Sequence, residues 1–113
     1  MDYSKMSDFE INKRVFTALR GTKPLGYPHN ADGRSVGNES NGQYTWYDYC
    51  NNPADAWPII VDNSIGIKKQ SNGLWVSSRH GGMYPQYHEN PLRAAMIVFL
   101  MMQESSNVQD NPA

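Results

Sequence analysis

The sequence predicts a single α+β domain, and three observations carry that reading. A capped amphipathic helix opens the chain, two apolar runs flank an Asn-Gly dipeptide in the middle, and a helix near the end is apolar on nearly every side. Together they predict a small antiparallel sheet packed against helices over residues 1–104, followed by a polar tail over 105–113 expected to be disordered.

The first helix begins at a capping box. Ser7 is followed by Glu10, and Met6 and Ile11 stand at the two positions of a hydrophobic staple. Ile11, Val15, Ala18 and Leu19 form one stripe, and Gly21 is a suitable stop. From Thr22 to Gln43 the composition turns to Gly, Pro, Asn, Asp and Ser without periodicity, which predicts a long flexible loop, either a surface insertion or a flap over a ligand. Tyr44 to Tyr49 reads as a short strand or an ordered approach to the next helix. That helix is placed at Pro53 to Asp62, with Asn52 as N-cap and a bend or restart at Pro58, whose ring crowds the carbonyl of Ala54.

Ile65 to Gln70 and Leu74 to His80 flank Asn72-Gly73, the dipeptide best suited to a two-residue type I′ hairpin turn. Pairing about that turn places Ile65, Ile67, Leu74 and Val76 on one face and Lys68, Gln70, Trp75, Ser77 and Arg79 on the other. Gly81 to Glu89 reads as a second loop. Asn90 and Pro91 then repeat the Asn-Pro helix start of residues 52 and 53, and Ala94 to Met102 contains no polar residue. Such a helix has to be covered on several sides, with Ile97 and Leu100 in the core. Arg93 and Gln103 bracket a stretch too short for the roughly 20 residues of a membrane span.

Ten basic residues against eleven acidic give a net charge of -1, which withholds the excess cations that duplex nucleic acid requires. Cys50 is the only cysteine, and the first residues show neither a basic start nor an apolar signal core, so the expectation is a cytoplasmic protein without disulfides. Cys50 with His80 or His88 would make a thiol and base pair, and His29 could extend that set toward a metal. No CxxC, HxH or HExxH spacing supports metal binding, and no glycine-rich phosphate loop follows a strand, so no cofactor is expected. Asp48 and Asp55 could pair as carboxylates, yet Asp55 at the third helical position is explained by the helix dipole. The sequon Asn38-Glu39-Ser40 has no consequence in a cytoplasmic protein.

One constellation points to a ligand. Trp75 beside Lys68, Gln70 and Arg79, together with Tyr44, Trp46, Tyr47, Tyr49, Asn51 and Asn52, supplies rings and cations that could stack a base and pair a phosphate. The same residues would also serve as an ordinary shield over a small sheet, with long cations lying on aromatic rings. The candidate ligand-binding set is Trp46, Tyr47, Tyr49, Asn51, Asn52, Lys68, Trp75 and Arg79.

Three blocks stand together: MDYSKMSDFEINK, DYCNNPADAWPII and NPLRAAMIVFLMMQE. In combination the chain closely resembles the phage NinX family, small proteins of lambdoid phages and enteric prophages. Its order of elements, with the pair Ala56-Trp57 in the second helix, is also similar to small phage domains described as α-β-α sandwiches. The resemblance implies a phage accessory role and carries no catalytic residue across. The resulting expectation is a non-enzymatic protein that acts by binding a nucleotide-like ligand or a host protein in the contest with host defences. The alternatives are a small nucleotide-acting enzyme using Asp, His or Cys50, and a structural component in which the last helix forms a homodimer seam.

Overall fold

The structure is a computed structural model that describes residues 2–27 and 33–109. Its elements run α1 (Asp8–Arg20), β1 (Val36–Ser40), β2 (Gln43–Tyr47), α2 (Pro53–Asp62), β3 (Ile65–Lys69), β4 (Trp75–Arg79), β5 (Met83–His88) and α3 (Pro91–Gln109), after a short 3₁₀ turn at Tyr3–Lys5. The class is α+β. Each helix starts where its sequence signal stands: Ser7 Oγ accepts from the Glu10 N–H at 3.1 Å, Asn52 Oδ1 from Ala54 at 3.0 Å, and Asn90 Oδ1 from Leu92 at 2.9 Å. Gly21 ends α1 in the left-handed region at φ 74°. α2 continues across Pro58 instead of restarting. Pro58 lies on the solvent side and Ala54 is exposed, so water can take the carbonyl that the proline leaves without a donor.

α3 occupies the middle of the molecule. It packs on β3, β4 and β5 on one side and on α1 and α2 on the other, so the layers run sheet, α3, then the two remaining helices. Every residue from Arg93 to Leu100 is buried, Ile97 and Leu100 to 4% exposure each. Ile11, Val15 and Phe16 from α1, Ala56, Ile59 and Ile60 from α2, and Ile65 from β3 complete the core with Val36, Tyr49 and Cys50. The α1 stripe is rotated from its expected position: Asn12 and Phe16 are buried, whereas Ala18 and Leu19 face water.

Three segments differ from expectation. The stretch Thr22 to Gln43 contains β1, which pairs antiparallel with β2 from Val36↔Tyr47 to Ser40↔Gln43. Asn41 and Gly42 close this hairpin at φ 54° and 78°, the two positive values of a type I′ turn. The Gly81 to Glu89 stretch contains β5. It is an edge strand, where Pro85 can do without an N–H, and a bulge between Ser77 and Arg79 absorbs the extra residue, with Tyr84 at φ 57°. Finally, α3 continues past Ser105 to Gln109, through residues read as the start of the tail; residues 110–113 lie outside those described.

The hairpin about Asn72-Gly73 forms, but one residue out of the expected register. Its ladder pairs Ile65↔Arg79, Ile67↔Ser77 and Lys69↔Trp75. Only Gly73 has positive φ, at 90°; its N–H donates to Gln70 O at 3.2 Å, and Leu74 N–H donates to Asn72 Oδ1 at 3.0 Å. The loop therefore holds three residues, a turn closed by a left-handed glycine, instead of two. Because side chains alternate, that slip exchanges the faces of β4: Trp75, Ser77 and Arg79 share the side of Ile65 and Ile67, and Val76 joins Lys68 on the other. The buried side under α3 then receives Ser77, whose hydroxyl donates to Gly66 O at 2.9 Å.

Candidate functional site

The candidate ring and cation residues fall in two separate sheets, β1–β2 and β3–β4–β5. On the larger sheet the register places Lys68 on the face opposite Trp75, so the two cannot share a ligand. The cation over Trp75 is Lys69, with Nζ 5.1 Å from the ring centroid. Arg79 lies four residues along the strand, about 13 Å away. It opens instead on a ≈ 450 Å³ cleft with His80, Asp62, Asn63 and Met102.

On the smaller hairpin, Trp46 lies over Gly37, its partner in the ladder, where a Cβ would run into the indole, and Tyr44 stacks on it at 5.6 Å. Tyr47 and Tyr49 stack with their rings 1° from parallel, 5.6 Å apart. Arg20 covers Tyr47 and Phe16 at 5.0 Å from each centroid and donates to the Tyr47 hydroxyl at 2.6 Å. Tyr49 is buried, and burial pushes its phenol up from the ordinary value. Asn52 serves as the α2 cap, and Asn51 is drawn into a polar network beneath the surface.

That network joins residues of scattered origin. Asp48 accepts from Asn12 Nδ2 at 2.9 Å, Asn51 Nδ2 at 3.0 Å and Arg34 Nε at 3.1 Å, while its own N–H donates to Asp55 Oδ2 at 2.9 Å. Asp8 accepts from Asn51 Nδ2 at 3.0 Å and Arg93 Nη1 at 2.7 Å. Arg93 Nη2 also donates to the carbonyl of Met6 at 2.7 Å, and Asn90 Nδ2 to that of Cys50 at 2.7 Å. Among the described residues every buried side-chain nitrogen and oxygen has a partner. The Asp48 and Asp55 carboxylates are thus committed to structure and not poised as an acid and base pair.

Cys50 lies at the centre of these bonds, fully buried. Its thiol is pushed up by burial and by the neighbouring Asp8 carboxylate, which leaves it protonated and inaccessible as a nucleophile. His80 and His88 are both exposed, and His88 Nδ1 accepts from the Asn90 N–H at 2.9 Å. His29 lies outside the described residues. Among those described, no group of three or more His, Cys, Asp or Glu side chains converges as a metal site would require, and no helix is long and apolar enough to cross a membrane.

The C-terminal half of α2 gathers what remains. A ≈ 370 Å³ cleft between α1, β2 and α2 is walled by Leu19, Arg20, Tyr47, Tyr49, Pro58 and Ile59. Asp62 and Asn63 line both this cleft and the one that holds Arg79, so Tyr47, Tyr49 and Arg79 stand on two sides of one helix end. On the outward face of α2, one turn apart, Trp57 is 60% exposed and Val61 54%. Leu19, across the cleft, is 45% exposed.

The chain matches, over residues 2–103, the family described as Bacteriophage P22, NinX. It belongs to that family. The match takes in the segments 22–43 and 81–89 as well as the three blocks of the resemblance save their outermost residues Met1 and Glu104, and it includes all of α2 with its exposed Trp57. Among curated proteins, none matches the chain. NinX membership makes this a phage accessory protein, and it assigns none of the residues above a chemical role. Sequence reasoning passed over Trp57, which it noted only as half of an Ala-Trp pair. The available signal was Trp57 and Val61 at i and i+4 on a helix whose opposite face, Ala56, Ile59 and Ile60, already supplies the core.

Proposed function

We propose that this phage accessory protein is a non-enzymatic binder that captures a protein partner in the host cytoplasm through the outer half of α2. The observation that carries this reading is Trp57, a large apolar ring on a regular helix, 60% exposed and next to Val61. Tryptophan anchors dominate protein interfaces, and a rigid helix presents one at low entropic cost. The adjoining cleft between Leu19 and Pro58 can take an apolar side chain of the partner. Asp62, at the end of α2 where no cation offsets the helix dipole, has no ion pair among the described residues and invites a partner lysine or arginine.

A nucleotide suits this surface poorly. Its phosphates would meet Asp55 and Asp62, and the one guanidinium in the cleft, Arg20, is already engaged with Tyr47. The enzymatic alternative loses its thiol to burial. The test is affinity capture from the lysate of an enteric host, comparing the wild type with Trp57→Ser/Val61→Ser and with Tyr87→Ser on the exposed sheet face as control. The partner is then purified and titrated calorimetrically. A partner held by wild type and the control, and weakened at least tenfold by the α2 variant at unchanged melting temperature, supports the reading. Equal binding by all three, or no specific partner, overturns it. Self-association abolished by the α2 variant would make the partner a second copy of this chain.

A further inference from the structure

A different part of the molecule carries a second proposal, independent of the α2 surface. Between α1 and the outer half of α3 lies an open cleft of ≈ 470 Å³, lined also by Lys23 and Pro24, within the size range of small-molecule sites. Its charged lining is Lys13, Arg14 and Lys23 against Glu10 and Glu104. The two carboxylates are occupied: Glu10 lies 3.9 Å from Lys13 Nζ, and Glu104 accepts the hydroxyl of buried Tyr3 at 2.5 Å. Arg14 and Lys23 have no ion pair among the described residues. In a chain whose net charge is -1, three cations against two carboxylates leave this one concavity with a charge of +1, carried by two side chains free of ion pairs, beside an apolar wall of Leu100, Ala18 and Pro24.

We propose that this cleft binds a small phosphorylated metabolite. Arg14 supplies a planar fork and Lys23 a mobile ammonium for the phosphate, the two ways in which cations hold such a group. In the lining, the Tyr3–Glu104 pair presents a carboxylate fixed in place by a buried phenol, and the Gln103 side chain next in sequence has no hydrogen bond among the described residues. Those acceptors call for hydroxyl donors on the ligand, as a ribose or other sugar provides. The chemistry therefore selects a molecule anionic at one end and hydroxylated at the other, over a plain anion or an apolar compound.

Calorimetry with adenosine 5′-monophosphate, ribose 5-phosphate, adenosine and inorganic phosphate tests it on the full chain, alongside the exposed double variant Arg14→Gln/Lys23→Gln. The expected result is saturable binding of at least one sugar phosphate, stronger than adenosine or phosphate alone and weakened tenfold or more in the double variant at unchanged melting temperature. Trp57→Ser/Val61→Ser should leave this binding intact, which separates the proposal from that of the protein interface. No binding of either sugar phosphate at millimolar concentration overturns it. So does binding that the double variant does not change.

Discussion

Arg93 connects chain segments that lie far apart in sequence. From the first turn of α3 its guanidinium reaches Asp8 at the start of α1 and the carbonyls of Tyr3, Ser4 and Met6, so one buried cation closes the N-terminal turn against the central helix. Burial alone would raise the Asp8 carboxyl, but hydrogen bonds from Asn51 and Arg93 and the positive fields of Arg93 and Arg34 outweigh it and hold it below the ordinary carboxylate value. A depressed carboxyl contributes stability above its unfolded pKa, roughly 3.9, and that contribution disappears as pH falls through the lower folded value. Asp8→Asn should therefore be less stable than wild type at pH 7, with the two converging as pH drops below about 4. Urea unfolding from pH 7 to 3 measures it, and parallel curves would remove Asp8 from the account. Arg93→Met should cost about 3 to 5 kcal/mol at pH 7, because it leaves Asp8 half-buried without its cation.

At the scale of elements, legibility followed the strength of the local signal. The three helix starts were readable because each cap is a single side chain bonding two or three residues ahead. The strands were harder. β1 was hidden in a polar run, although Asn41-Gly42 carried the same dipeptide signal that was credited at Asn72-Gly73. β5 was hidden by Pro85 and two glycines, residues that an edge strand with a bulge tolerates. The register slip at Asn72-Gly73 follows from a choice that sequence leaves open, a third loop residue with only the glycine left-handed. Of the candidate site, Tyr47, Tyr49 and Arg79 reach one region, while Trp75 and Lys68 are parted by that slip. The Asp8–Asn51–Arg93 network was illegible because its members are brought together only by the packed fold. The two turns now make distinct demands. Gly42→Val and Gly73→Val should each cost more than about 1 kcal/mol, as β-branched residues resist positive φ. Asn41→Ala should cost about 1 kcal/mol for the same reason, whereas Asn72→Ala, at negative φ, should lose only its side-chain hydrogen bond and cost less. Chemical denaturation decides; equal costs for the two asparagines would mean that the two loops share one geometry.

At the scale of the whole molecule, the position of α3 determines which surfaces are left for function. A helix with no polar residue from Ala94 to Met102 could have served as a seam between two copies, but the stretch from Arg93 to Leu100 is covered within one chain by the sheet on one side and α1 and α2 on the other. The two surfaces proposed above for binding then lie at the periphery: the outer face of α2, and the cleft that α3 shares with α1. The middle of that helix is thus spent on the core of one chain. Leu100→Ala tests this directly, since Leu100 is 4% exposed and surrounded by the core cluster. Its loss should cost about 2 to 5 kcal/mol, the range for removing a buried leucine side chain from a core that collapses only partly. The distinguishing measurement is the same unfolding transition at protein concentrations a hundredfold apart. A seam between copies would make the midpoint move with concentration in wild type, and would let dilution erase the difference between wild type and variant. A core within one chain gives a constant midpoint for each and a constant gap between them. A gap below about half a kcal/mol would place α3 at the edge of the fold, in conflict with its burial on every side.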